Sequence, residues 1–246
     1  MTLRQYRADL HIHTCLSPCG DLEMSPKHIV QKAIAEELSI IAITDHNAAM
    51  NVNPVQKAAE GKNIMVIPGL EITSQEEVHI LALFENCSQA EMVQAILFES
   101  MDLTDNETYI QDQVIANEFD EVEGFCRQLL MGATKIQLKK IVELIHSQRG
   151  LAIAAHIDRQ AFGIIGQLGF LPPDIHFDGL EVSPNTTLKD VQKTYAEYTG
   201  FTFITSSDAH YLKDIGSVST TFLLQDLSFV EITKAFKKQD GRGVVV

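Results

Sequence analysis

Two histidines one residue apart, His11 and His13, sit in DLHIHTCLSPCG at residues 9–20. On an extended strand side chains alternate, so an HxH turns both imidazoles to one face. Such a pair can serve one metal ion at low entropic cost, and a carboxylate from another strand can bridge two ions, as hydrolytic multimetal sites require. Residues of these types recur: His46 in ITDHN, Glu71 in PGLEIT, His79 in EVHIL, His156 in AAHID, and Asp208 with His210 in SSDAH. The alternation predicts Asp9, His11 and His13 on one face with Leu10 and Ile12 on the other. It also groups Ser206, Asp208 and His210. A single buried histidine is more often a hydrogen-bonded core residue than a ligand, which sets aside His28, His146 and His176, placed on helices or a loop. HxH, TDH, a strand-end glutamate and DxH together exceed what core packing explains.

The elements that must position these residues follow from the hydrophobic pattern. Short apolar runs alternate with amphipathic stretches, the signature of βα units around a mostly parallel sheet. A strand ends at DLHIH, and SPKHIVQKAIAEEL follows as a helix with Ser25 at the N-cap and Pro26 at N1. SIIAITD reads as a second strand, VNPVQKAAEGKN as a helix, IMVIPGLEIT as a third strand and EVHILALF as a fourth. Residues 85–134 are acidic and show no clear strand pattern, so they read as a partly helical insertion. The rhythm resumes with LKKIVELIHSQRG as helix and LAIAAHID as strand. FDGLEVS, FTFITSSDAH and STTFLLQD are further strands, with helices at TLKDVQKTYAEYTG and SFVEITKAFKKQ. His11 and His13 then end the first strand, His46 the second, Glu71 the third, His156 the fifth, and Asp208 with His210 the last long one, while His79 lies within the fourth. Function in α/β barrels and open sheets is built at the C-terminal ends of strands. These segments are therefore expected to converge on one mouth.

Composition narrows the function classes. At 246 residues, 45% hydrophobic and 21% charged, the chain suits one substantial core. No apolar run reaches membrane-spanning length, and MTLRQYRADL lacks the apolar region of a secretory signal. No membrane partner and a cytoplasmic location are expected. A net charge of −14 disfavours a stable nucleic-acid partner, because wrapping many phosphates needs a basic footprint. A small phosphorylated substrate held through bound cations remains compatible. The four cysteines, Cys15, Cys19, Cys87 and Cys126, form no CxxC pair and read as reduced thiols.

Together DLHIHT, ITDHN, PGLEIT, His79 of EVHIL, AAHID and SSDAH resemble the motifs of the polymerase and histidinol phosphatase (PHP) family of metal-dependent phosphoesterases, along almost the whole chain. The resemblance implies a single domain over residues 1–246, a distorted (β/α)7 TIM-like barrel. The acidic insertion at 85–134, mainly helical, would follow the fourth strand. It also implies two to three divalent metal ions (zinc, iron or manganese). By position, His11, His13, Glu71 and Asp208 would surround the first ion, with Glu71 bridging to a second that His79 and His156 also hold. A third would take His46 and His210. Three-metal relatives commonly place one more histidine a few residues after the HxH, and here that position carries Cys19. Its thiolate, if it ligates, favours zinc or iron over magnesium or manganese. Cys15 reads as a small buried thiol.

The chemistry that follows is hydrolysis of a small phosphomonoester, histidinol phosphate-like or a nucleotide phosphate. Ions sharing Glu71 would hold a bridging hydroxide that attacks phosphorus, since coordination lowers the pKa of water toward about 7. Glu71, Asp208 and Arg159 are the catalytic candidates; Arg159 reads either as a phosphate clamp or as a surface arginine. Asp9 and Asp45 are candidates to orient imidazoles, Asp45 equally a turn residue, and Glu181 and Ser183 are expected to line the pocket. The insertion is placed over or beside the mouth, where it would set substrate choice. Its Asp102, Asp105, Asp112, Asp120 and Glu121 either repel a long polyanion or form a solvated face. An exonuclease or phosphodiesterase acting on short oligonucleotides is the main alternative. An amidohydrolase-like enzyme also places HxH after its first strand, but often has a modified lysine where Glu71 stands. A non-catalytic binding module is disfavoured, because eight of nine expected ligand positions carry His, Asp or Glu and the ninth carries Cys.

Overall fold

The computed structural model describes residues 2–245. The strand β1 (Arg4–Ile12), the helix α1 (Pro26–Ala35) and β2 (Ile40–Ile43) make the first unit, with the two strands parallel. Ser25 stands at the N-cap and Pro26 at N1, yet the Ser25 hydroxyl makes no cap bond. Asp120 accepts from the Lys27 amide at 2.8 Å in its place. Next come α2 (Val52–Ala59), β3 (Met65–Thr73), β4 (His79–Leu83), α3 (Cys87–Glu99), α4 (Glu107–Gln111), β5 (Val114–Ala116), β6 (Val122–Phe125), α5 (Leu138–Ser147) and β7 (Leu151–Ala154). The chain ends with α6 (Ile164–Leu168), β8 (Gly179–Val182), α7 (Leu188–Thr194), β9 (Thr202–Thr205), β10 (Thr220–Leu224), α8 (Phe229–Phe236) and β11 (Gly243–Val245).

One sheet of nine strands runs in the order β11-β10-β1-β2-β3-β4-β7-β8-β9. The stretch from β1 to β9 is the wall of a nearly closed barrel, the distorted (β/α)7 form that was expected. Closure is confined to one end. Past β9, Ala209 donates to the His11 carbonyl at 3.2 Å and accepts from the His13 amide at 3.0 Å. Lower down, β10 pairs antiparallel with β1 and occupies the gap. Leu10, Ile40, Ala42, Ile67, Leu81, Ile153 and Phe222 share the inner cluster. Ile41, Ile43, Ile80 and Ala154 pack outward with helix residues such as Ile29, Val93 and Ile145. Alternate residues of a strand thus serve different layers, as its period of two demands. Helix α5 buries Leu138, Ile141, Val142 and Ile145, the one-sided stripe that seats a helix on a barrel.

Four departures from the sequence reading matter for function. First, β4 runs antiparallel to both β3 and β7. Its N-terminal end therefore lies beside the C-terminal ends of its neighbours, which is how His79, its first residue, reaches the mouth. Second, the register of β1 against β2 shifts between Asp9 and Ile12, so Leu10 joins the inner cluster and Ile12 the outer one. They do not share a face as strict alternation predicts, because a bulge re-aims the side chains that follow it. Third, β9 stops at Thr205 and Asp208 is left-handed at φ 52°, so strand alternation does not group Ser206, Asp208 and His210. Fourth, residues 85–134, read as a mainly helical insertion without strand pattern, hold the strands β5 and β6 beside the helices α3 and α4. Helix α3 buries Ala90, Val93 and Leu97 against the barrel, and β5 and β6 form a hairpin. The hairpin escaped notice because β6 is almost wholly exposed and shows no apolar alternation. Among the described residues, no helix is long and apolar enough to cross a membrane.

Candidate metal centre

Glu71 is the hub of the mouth. It is 1% exposed, and imidazoles from several strand ends surround its carboxylate. His79 Nδ1 lies 2.7 Å and His156 Nε2 3.0 Å from Oε1, and His11 Nε2 lies 3.3 Å from the same oxygen. The other oxygen faces His46 Nδ1 at 3.0 Å and His13 Nε2 at 3.3 Å. Asp208 Oδ1 approaches His11 and His13 Nε2 at 3.2 and 3.3 Å. Ligand atoms that lie within 4.8 Å of one another form three groups: His13 with Cys19, His46 and His210; His11 with His13 and Asp208; and His46 with Glu71 and His79. The structure brings all nine expected positions to this one place, with His13 and His46 each in two groups.

Hydrogen-bond counting fixes which nitrogens face the centre. Glu181 Oε2 lies 3.0 Å from His11 Nδ1; a carboxylate only accepts, so Nδ1 carries a proton, and Nε2 is the nitrogen that points inward, toward Asp208 and Glu71. For His13 the partner is Ser17. The Ser17 hydroxyl donates to Asp45 Oδ1 at 2.7 Å and accepts from the His46 amide at 3.1 Å. Its remaining lone pair takes the proton of His13 Nδ1, 2.9 Å away, and again Nε2 points inward. Asp45 is held in turn by the Thr14 amide and hydroxyl, at 2.7 and 2.8 Å. Asp45 therefore orients His13 through Ser17, and Glu181 orients His11 directly.

The donor set has the marks of a cation site. The two inward nitrogens of His11 and His13 face each other at 3.2 Å, lone pair against lone pair unless a proton or a metal ion lies between them. His156 Nδ1 is buried without a hydrogen-bond partner, and His46 Nδ1, although 3.0 Å from Glu71 Oε2, is not aligned to bond it; such orphans cost free energy. Protonation behaviour agrees. Burial opposes charge on His11, yet Asp208, Glu181 and Glu71 overcome it and hold its pKa well above the usual range. His13 reaches about 9, where hydrogen bonds to Asp208 and Glu71 outweigh burial. Burial pushes His46 and His210 down to about 4. Burial also acts on Glu71, but His79, His11 and His46 hold it well below the carboxylate range. Imidazoles and carboxylates of this kind suit divalent metal ions.

Comparison with known proteins agrees with this geometry: the family model described as "PHP domain" matches residues 9–231. The chain belongs to the PHP domain family. A 5'-3' exoribonuclease of Haemophilus influenzae is 32% identical over 78 residues, covering 30% of this chain and 27% of that protein. One from Escherichia coli is 32% identical over 80 residues, covering 30% and 26%. The matched segments thus span about a quarter of those relatives. Among solved structures, the lesion-specific endonuclease Q of Pyrococcus furiosus aligns with TM-score 0.76 at 19% identity, over 99% of this chain and 58% of that one. A Bifidobacterium adolescentis protein described as a metal-dependent phosphoesterase aligns at TM-score 0.59 and 18% identity, over 82% and 87%. At these identities the likeness is one of fold.

Around the PHP centre the other expected residues separate. The Arg159 guanidinium lies 2.6 Å from Asp208 Oδ2 and stays 40% exposed. Asp9 orients no imidazole: it accepts from the Ser207 and Gly216 amides, both at 3.0 Å, and burial raises its pKa to about 6. Ser183 bonds Asp158 instead of facing the pocket, at 2.7 Å. Cys15 is buried with its sulfur 3.8 Å from the Val114 carbonyl. A cavity of about 230 Å³ opens beside Glu71, with Cys19, Arg159, Met131 and Phe162 in its wall. Ser17 stands in the loop just past DLHIHT, beside Cys19, but nothing local marks it as the hydrogen-bond relay between Asp45 and His13. Met131 and Phe162 likewise carry no local signal.

Proposed function

We propose that this PHP domain is a metal-dependent hydrolase of phosphoric esters that acts on a small phosphomonoester. The observation that carries the reading is the packing of imidazoles and Asp208 around Glu71, with their nitrogens and oxygens so close that protons or metal ions must be shared among them. His11, His13 and Asp208 would hold one ion, and Glu71, His79 and His46 or His156 a second. His210 and Cys19, with His13 or His46, would hold a third. Bound ions lower the pKa of coordinated water toward about 7 and neutralise phosphoryl oxygens. The chain's own residues do the rest. Glu181 and the Ser17–Asp45 pair keep His11 and His13 in one tautomer, so the donors need no rearrangement when substrate arrives. Arg159 neutralises Asp208 with one nitrogen and offers the rest of its fork to a phosphate.

The cavity favours a small ester. Its volume of about 230 Å³ lies below the ~300–1,000 Å³ of pockets that engulf a drug-sized ligand, so it admits a phosphoryl group and the part next to it. The second reading, a phosphodiesterase on short oligonucleotides, draws support from relatives named as an exoribonuclease and an endonuclease. Both readings meet in one test. Protein purified without chelator is analysed for metal, then assayed for phosphate release from a panel of phosphomonoesters and for cleavage of dinucleotides. Phosphate release that chelator abolishes and metal restores is expected. Cleavage of dinucleotides with no monoester turned over would select the second reading, and inactivity of fully loaded protein on both would overturn the proposal.

A further inference from the structure

The turn after β7 brings three different side chains to the cavity: His156, Arg159 and Phe162. It is very tight, since a Cβ on Gly163 would meet the Arg159 carbonyl oxygen at 2.4 Å and that of His156 at 2.8 Å. Phe162 itself is left-handed at φ 61°, a conformation costly for a bulky side chain. Its carbonyl accepts from the His79 amide at 2.9 Å, and its ring stacks on the His79 imidazole with centroids 4.4 Å apart and planes 16° apart. Support of His79 accounts for one part of the ring. The rest is free: Phe162 is 36% exposed and stands in the cavity wall with Arg159.

We propose that Phe162 is the stacking shelf for the base of a nucleoside-bearing phosphate ester whose phosphoryl group lies at the Glu71 centre. The inference rests on the phosphoester reading and names the substrate class within it. A cavity smaller than the pockets that engulf a whole ligand leaves room for the base at its rim, where an aromatic ring can stack on any base. Apart from the candidate metal donors, the wall is formed by Met131, Arg159, Ala161 and Phe162. With Arg159 held by Asp208 and turned to the phosphoryl group, Met131, Ala161 and Phe162 offer no strong hydrogen-bonding side chain to read a base edge, so adenine, guanine and cytosine are accepted alike. The source is either a free mononucleotide or the terminal nucleotide of a short oligonucleotide.

The test compares wild type, Phe162→Leu and Phe162→Trp on adenosine 5'-monophosphate, an adenine dinucleotide and glycerol 2-phosphate, with bound metal measured for each protein. Leucine is expected to lower kcat/KM for an adenine substrate relative to glycerol phosphate by roughly 5- to 100-fold, through KM. Tryptophan restores the ratio, and whichever adenine substrate responds identifies the source. A parallel calorimetric titration with adenosine 5'-monophosphate should show weaker binding to the leucine variant. Unchanged ratios for both adenine substrates would overturn the inference alone. So would equal losses on all three esters with falling metal content, which would make Phe162 a positioning residue for His79. Failure of loaded wild type on both adenine substrates, with other phosphomonoesters of the panel turned over, overturns this inference alone, and failure on the whole panel overturns the phosphoester reading with it.

Discussion

Glu181 makes its contribution from behind the donor set. Its Oε2 accepts from His11 Nδ1 and, at 3.1 Å, from the His156 amide, while Oε1 is buried without a partner. Glu181→Gln can keep both hydrogen bonds through its amide oxygen while removing the charge, its NH2 taking the unpartnered Oε1 position. Metal affinity is expected to fall about 10- to 100-fold, measured by competition with a chromogenic chelator; unchanged affinity would show that the charge is irrelevant. Cys19 is a separate case. Burial, then Glu71, pushes its thiol up to about 12, so without an ion it stays protonated, and only a metal ion turns it into a thiolate. Cobalt-loaded protein should show a sulfur-to-metal absorption band that Cys19→Ala lacks, together with altered metal content. Identical stoichiometry and metal identity in the variant would remove Cys19 from the ligand set. His11 and His13 were legible because HxH is a local pattern. Glu181 was not legible as their support, because it lies 170 residues from His11.

Elements matter through their ends and irregularities. The bulge in β1, the reversed β4 and the left-handed Asp208 each place a donor that ideal strands would have pointed elsewhere. Left-handed non-glycine positions store roughly 1–3 kcal/mol each, and His156 and Asp208 both occupy that region, at φ 27° and 52°. The β5–β6 hairpin is tied to the first motif through Asn51. Asn51 Nδ2 donates to Thr14 Oγ1 at 2.9 Å and to the Val114 carbonyl at 3.0 Å, and its Oδ1 accepts from the Ala116 amide at 3.0 Å. Asn51→Ala leaves buried partners unsatisfied, at a cost of about 1–3 kcal/mol. Its expected signature is faster hydrogen exchange at Val114 and Ala116, with the barrel strands unaffected; unaltered exchange at both amides would refute the link. Helix α1 was readable from Ser25, Pro26 and a 3.6-residue stripe, all local signals. The direction of β4 was not, since an apolar run of five residues pairs equally well either way.

For the whole molecule, the centre couples metal, protons and stability. In metal-free protein His13 is raised to about 9. Its stabilising contribution is complete below the unfolded value near 6.5 and is lost as pH rises through about 9. His46 and His210 are depressed to about 4, so below the unfolded 6.5 the unfolded chain binds more protons at these sites and stability falls on acidification. The metal-free protein should therefore show its highest Tm near pH 6.5, declining toward both pH 4 and pH 9. Metal loading should raise Tm and remove the alkaline decline, because a bound cation takes the place of the protons. Calorimetry at the three pH values, with and without metal, checks this; a Tm in metal-free protein that does not fall between pH 6.5 and 9 would contradict it.

By itself the chain determined the alternation of strands and helices, the helix faces and the candidate donors, while the barrel was implied by the resemblance of its motifs to a family. The alternation, the faces and the candidates depend on short-range periodicity or on residue type at a strand end, and both can be read from a few neighbouring letters. Only tertiary structure decided the tautomers of His11 and His13, the diversion of Asp9 to two amides, the partition of donors into overlapping groups, and the place of Phe162 in the cavity wall. These depend on where segments distant in sequence meet. The hydrophobic pattern specifies which layer a residue joins, but not which atom it will touch.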